Sequence, residues 1–254
     1  MILLKSSAEL EAMHLANLVV HRALAAVRDA AAPGVTTAEL DTLAEELIRS
    51  AGGEPAFKGY RGFPATLCTS INDEIVHGIP SPRVRLADGD LLSVDCGVVL
   101  DGFFGDAAIS FGVGEVNGEA GRLMEVTRSC LGDAVDRVAP GNRLGDIGAA
   151  VQTRAESAGF GVVREFVGHG IGRSLHEEPQ VPNYGQAGRG QVLRPGLVIA
   201  IEPMITAGSW RVKIDDDGWT ARTEDGKLAA HFEWSVAVTV DGCRVLGLEE
   251  SVNA

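Results

Sequence analysis

Leu193-Arg-Pro-Gly196-Leu-Val198-Ile-Ala-Ile201-Glu202 repeats, 107 positions later, the pattern of Leu86-Ala-Asp-Gly89-Asp-Leu91-Leu-Ser-Val94-Asp95. In each, a turn ending in glycine opens a short apolar run that closes on a carboxylate. The same displacement relates Pro33-Gly34 to Pro140-Gly141, and Ser50-Ala51-Gly52 to Ser157-Ala158-Gly159. Each pair brackets a stretch with apolar residues at three- and four-residue intervals, the period of a helix with one buried face. After Asp95 the chain returns on Asp106-Ala-Ala-Ile-Ser-Phe111, and after Glu202 it returns on Glu233-Trp-Ser-Val-Ala-Val238. The second excursion covers 31 positions against 11. A duplication of this kind predicts two αβ halves, about 1–115 and 116–254, with four acids at equivalent places on two strand pairs.

Working outward, helices are expected over 7–30, 37–51, 118–138 and 144–158, and strands over 91–99, 103–111, 197–205 and 233–240. No polar or low-complexity stretch separates the halves, so residues 1–254 are expected to form one continuous two-lobed catalytic domain of α+β class. Apolar residues make up 45% of the 254 and charged residues 22%, which excludes a disordered chain. The formal charge of −13, with no cluster of Lys and Arg, argues against a nucleic-acid partner. Cys68, Cys96, Cys130 and Cys243 are widely spaced, so neither a thiolate zinc site nor a disulfide framework is expected. With no signal-peptide pattern and no long apolar segment, the expectation is a cytoplasmic protein without a membrane partner.

Asp95 and Glu202 each interrupt or end a run that otherwise reads as buried strand. An ionised carboxylate is costly to bury without a partner, and several neighbouring ones cannot all stay ionised unless positive charge is supplied. In Phe166-Val-Gly-His169-Gly-Ile-Gly the flanking glycines allow close approach to the ring, which suggests a fifth ligand. Asp95, Asp106, Glu202, Glu233 and His169 form a hard, oxygen-rich set suited to Mn, Fe, Co or Zn, and two divalent ions would balance four negative charges. His14, His21 and His231 carry no such context and are expected to be ordinary core or surface residues.

Gly168-His-Gly-Ile-Gly-Arg-Ser-Leu-His176-Glu-Glu-Pro-Gln-Val-Pro-Asn183-Tyr184 resembles the signature of type I methionine aminopeptidases of the short bacterial form. Ser70-Ile-Asn-Asp-Glu-Ile-Val-His77-Gly-Ile-Pro80 resembles their other recurring block. Asp95-x10-Asp106 and Ile-Glu202-Pro followed by Glu233 extend the likeness over nearly the whole chain. The resemblance implies the pita-bread fold, in which two αβ halves related by a pseudo-twofold axis enclose a dinuclear metal site between antiparallel sheets. It implies Asp95 and Asp106 on one metal, His169 and Glu202 on the other, and Asp106 and Glu233 bridging. It further implies removal of the initiator methionine from nascent proteins with a small second residue, by attack of a metal-bridging hydroxide on the peptide carbonyl.

In that scheme Glu202 shuttles a proton, and His77 and His176 contact the scissile amide. Tyr60, Cys68 and Trp219 line the methionine pocket. Phe63 stands where such enzymes often carry Tyr, and Leu175 where they often carry Phe. The implied partner is the N-terminus of a nascent polypeptide at the ribosome, met by a monomer. Prolidase and X-Pro aminopeptidase relatives generally carry a sizeable extra N-terminal domain, whereas here only about 85 residues precede the Asp95 strand. Type II enzymes carry an insertion between the last two glutamates. A non-catalytic relative associated with nucleic acid would need neither the full ligand set nor the acidic charge.

Overall fold

The computed structural model describes residues 2–248. Among the described residues there are four α-helices: α1 (Ser7–Ala30), α2 (Thr37–Ser50), α3 (Gly118–Val135) and α4 (Leu144–Ser157). Ser6 and Thr36 begin α1 and α2 with capping boxes, in which the hydroxyl accepts from the amide of the third helical residue and Glu9 or Glu39 reaches back. Such caps satisfy amides that have no partner inside the helix. On α1, Met13, Ala16, Val20, Ala23, Leu24 and Val27 form the buried stripe.

The helices cover a large sheet of nine strands, all of whose pairings are antiparallel. Its centre is the hairpin Leu91–Leu100/Phe103–Gly112, followed by Glu233–Val238, Val198–Ile201, Gly168–Gly170 and Glu177–Val181. Alternation along Leu91–Leu100 points Leu92, Val94, Cys96 and Val98 into a core with α1 and α2. A second core lies between α3, α4 and the other half of the sheet, around Leu123, Leu131, Ile147, Ile199 and Val236. The halves join where Phe103–Gly112 pairs with Glu233–Val238, through Glu233↔Ala108 and Trp234↔Ala107.

The 107-residue displacement holds in three dimensions. Thr37–Ser50 and Leu144–Ser157 are 107 apart at both ends, as are the bridges Thr36↔Arg85 and Arg143↔Val192. Gly34 and Gly141 both sit at φ 92°, and Gly89 and Gly196 at 92° and 88°. These left-handed turns strain any residue with a Cβ, which is why the repeat is marked by glycine. The result is the pita-bread arrangement, with the two antiparallel strand pairs facing a common cleft.

Two strands differ from expectation in a way that matters for the site. The segment expected as one strand over 197–205 breaks at Glu202-Pro203, because proline has no amide to give the ladder. Val198–Ile201 stays in the large sheet, while Met204–Thr206 joins a three-stranded sheet with Ala229–His231 and Gly161–Val162. Opposite it, Ala229–His231 and Glu233–Val238 are likewise separated at Phe232. Glu202 and Glu233 therefore stand at the corner where two strands leave one sheet for another. Helix α3 also ends at Val135, with Asp136 and Arg137 in a turn.

Candidate metal centre

Strand register places the acids before any side chain is considered. Directly paired residues of an antiparallel ladder project to the same face, as do residues two apart on one strand. Cys68 pairs with Asp95, Asp95 with Ala108, and Ala108 with Glu233, which forms one row across four strands. Asp106, two before Ala108, shares that face. Ser235, two after Glu233, pairs with Ala200, and Ala200 pairs with His169. Glu202, two after Ala200, completes the set. Alanine at 108 and 200 leaves room between the longer side chains.

The backbone behind this face is fixed closely. Asn17 of α1 is fully buried, and its Oδ1 accepts from the Asp106 amide at 3.2 Å. Ser235 Oγ donates to the Asp106 carbonyl at 2.9 Å. At Gly105 a Cβ would stand 2.8 Å from the α1 backbone at Ala16 and Asn17, so only glycine lets helix and strand approach this closely.

His169 Nε2 lies 3.8 Å from Asp106 Oδ2 and 3.7 Å from Glu202 Oε1. Asp106, His169 and Glu233 each offer a ligand atom within 4.8 Å of the others. Burial raises Asp95 from 3.8 to about 7. Burial, then the charges of Glu233 and Asp95, holds Asp106 well above the carboxylate range, and burial followed by Glu202 and Asp95 does the same to Glu233. Glu202 is pushed up by burial and then by the two aspartates. His169 is lowered to about 4 by burial and then His176, so it is a neutral imidazole at pH 7.

Asp95 Oδ1, Asp106 Oδ1, Glu233 Oε1 and His231 Nε2 are buried without a hydrogen-bond partner. Buried polar atoms are rarely left so, and a knot of acceptor oxygens beside a neutral imidazole fits divalent cations. Asp106, His169 and Glu233 are close enough to share a cation, and Asp95 and Glu202 line the same cleft beside them.

All ten site residues picked out in the sequence line one cleft of about 170 Å³, together with Phe57, Arg61, Phe63 and Leu175. Tyr60 Oη and His176 Nδ1 share a hydrogen bond of 2.8 Å, and the Tyr60 ring stacks on that of His176 at 5.3 Å. The His176 and His169 rings are 4.2 Å apart. His77, at the left-handed φ of 63°, is held edge-on against Phe166 and Trp219. Its pKa falls to about 4 through burial and then His176. Cys68 is buried, and burial and then Asp95 keep its thiol protonated. Phe63 and Leu175 are buried in the cleft wall, Phe63 edge-on to Trp219 at 5.1 Å.

Two of the three histidines set aside in the sequence are structural: Gly247 N donates to His14 Nδ1 at 3.0 Å, and His21 Nε2 lies 3.3 Å from the Leu246 carbonyl. His231 is not. It is 2% exposed, with Nε2 unpartnered and 4.0 Å from oxygens of both Glu202 and Glu233. Its spacing of two from Glu233 was the available signal. Arg61, at the cleft mouth with φ 51°, was also missed, and nothing in its local sequence marks it.

The metallopeptidase family M24 model matches residues 11–239. A methionine aminopeptidase of Clostridium acetobutylicum is 50% identical over 98% of this chain and 100% of its own length. Methionine aminopeptidase 1 of Mycobacterium tuberculosis is 50% identical over 96% of this chain and 94% of its own. The crystal structure of methionine aminopeptidase from Thermotoga maritima superposes with a TM-score of 0.96 at 45% identity, covering 98% of this chain and 100% of that one. A prolidase from Pyrococcus horikoshii shares the fold at a TM-score of 0.77 and 22% identity, but only 65% of it is covered. Motif order, ligand geometry and these likenesses agree: the chain belongs to metallopeptidase family M24 and, within it, to the methionine aminopeptidases.

Proposed function

We propose that this chain removes the N-terminal methionine of polypeptides whose second residue is small, using two divalent cations held by Asp95, Asp106, His169, Glu202 and Glu233. The observation that carries this is the convergence of five ligand-type side chains, from both halves, on the floor of a cleft walled by Tyr60, Phe63, Leu175 and Trp219. When bound, the cations supply Lewis acidity and lower the pKa of water at the centre.

The remaining work belongs to side chains of the cleft. Glu202, with a carboxyl pushed upward by burial, takes the proton of the attacking water and delivers it to the departing amine nitrogen. His176 is kept neutral by burial and then by Arg61, and its hydrogen bond with Tyr60 leaves Nε2 to meet the carbonyl oxygen as negative charge develops there. His77, also neutral, faces the nitrogen side. The apolar wall takes the methionine side chain and excludes water. Cobalt, manganese, iron and zinc all suit the donor set. The reading extends to one catalytic domain over 1–254, acting as a cytoplasmic monomer on chains emerging from the ribosome. None of the described helices is long and apolar enough to cross a membrane.

Release of methionine from Met-Gly-x but not Met-Lys-x peptides, after loading with each cation in turn, is the expected result; cleavage of neither overturns the reading. Glu202→Gln should lower kcat by at least roughly a hundredfold, the scale of a general acid–base group, while the far-UV spectrum is unchanged. Retained turnover would reject the shuttle role.

A further inference from the structure

His231 is unlike the other histidines near the cleft. It is not among the residues that line the cleft, whereas Glu202 and Glu233, 4.0 Å from its Nε2, are. Its backbone is pinned on both sides, since His231 N donates to Ser110 Oγ at 2.9 Å and Ser110 Oγ donates to His231 O at 2.7 Å. Pairing of His231 with Met204 adds a second restraint one turn beyond Glu202 and Pro203. A side chain held this firmly presents a buried, unpartnered Nε2 at 4.0 Å from Glu202 Oε2 and 4.0 Å from Glu233 Oε2.

Glu202 is thereby placed between two imidazoles, with His169 Nε2 at 3.7 Å from Oε1 and His231 Nε2 at 4.0 Å from Oε2. His169 belongs to the cleft side and His231 to the far side. A ring nitrogen midway between two carboxylates is placed to donate to both. Buried donors are rarely left without a partner, and the two carboxylates at 4.0 Å are the acceptors this nitrogen faces.

We propose that His231 is a positioning residue of the metal centre, its Nε2–H donating to Glu202 and Glu233 from behind and so fixing their spacing for the cations. This rests on the metal-centre reading above. Outer partners of this kind orient ligand carboxylates, and their loss typically lowers metal affinity roughly 10- to 100-fold.

The test compares wild type, His231→Gln and His231→Leu by calorimetric titration with Co²⁺ and by thermal unfolding of the chelator-treated proteins. Leucine removes the donor and glutamine keeps one. His231→Leu should weaken Co²⁺ binding by roughly 10- to 100-fold. Its metal-free Tm should be unchanged or higher, because a buried atom without a partner has been removed. His231→Gln should recover most of the lost affinity.

Wild-type affinity in His231→Leu overturns the proposal. So does a fall in both affinity and metal-free Tm that glutamine does not rescue, which would mark a purely structural residue. Failure of the wild type to bind Co²⁺ would instead remove the metal-centre reading, and this inference with it.

Discussion

Four carboxyl groups crowded behind one sheet face are a cost to the fold unless cations answer them, and that cost has a pH signature. Asp95 titrates at about 7 against an ordinary 3.8, and Asp106, Glu202 and Glu233 are shifted the same way. A raised acid binds more protons folded than unfolded, so its stabilisation is complete below the unfolded pKa and is lost as pH rises through the folded one. The buried histidines act oppositely. His77 and His169 fall to about 4 and His231 to about 3, each through burial first, so their contribution is present above 6.5 and lost as pH falls. Above roughly pH 6.5, the ordinary histidine value, only the carboxylates still pull in this window. Metal-free protein should therefore lose Tm between about pH 6.5 and 8, and excess Co²⁺ should flatten that decline. A chelator-treated Tm that rises over this interval contradicts the assignment of the carboxyl shifts.

At the level of single elements, the short strand Gly168–Gly170 carries His169 on almost no side-chain mass. A Cβ at Gly168 would collide with the Ala200 carbonyl and press on Val181, and one at Gly170 would meet Glu178 and Glu177 backbone oxygens. Glycine here lets the histidine strand lie tightly against its neighbours, so that His169 reaches over Ala200 toward Glu202. Gly168→Ala must move backbone, at a cost of about 1–3 kcal/mol. Urea unfolding should register that loss, and Co²⁺ affinity should fall with it because His169 is displaced. An alanine variant with wild-type stability and metal binding would show that the strand has slack the contacts do not suggest.

Across the whole molecule, the N-terminal segment ties the two halves together through a buried ion pair. Lys5 Nζ lies 2.6 Å from Glu177 Oε2, with side-chain exposures of 5% and 10%. Glu177 Oε1 accepts from the Arg173 and Ser174 amides, so the same carboxylate shapes the loop that presents His176. Lys5 N also donates to the Gly196 carbonyl at 2.7 Å, beside the turn that starts the Glu202 strand. Lys5→Met leaves a buried charge unpaired and should cost about 3–5 kcal/mol. Combining it with Glu177→Gln should recover a good part of that loss. A single variant that loses less than about 1 kcal/mol in urea titration would mean that water already reaches the pair.

The repeat, the helices, the central hairpin and the acids and histidine that meet in the cleft were legible in the sequence because each depends on local spacing. Period-two and period-3.6 patterns fix which face a residue takes, and Gly34, Gly141, Gly89 and Gly196 mark turns that other residues resist. Three-dimensional pairing decided the rest. The break at Glu202-Pro203, the matching break at Phe232 and the recruitment of His231 all arise from strands crossing between two sheets, which no one-dimensional period encodes. His231 read as an ordinary histidine because nothing near it in sequence announces a charge, while its neighbours in space, Glu202 and Glu233, come from both sides of that crossing. The sequence determined which groups this protein has for binding cations, and only the tertiary structure decided which of them face the cleft and which stand behind it.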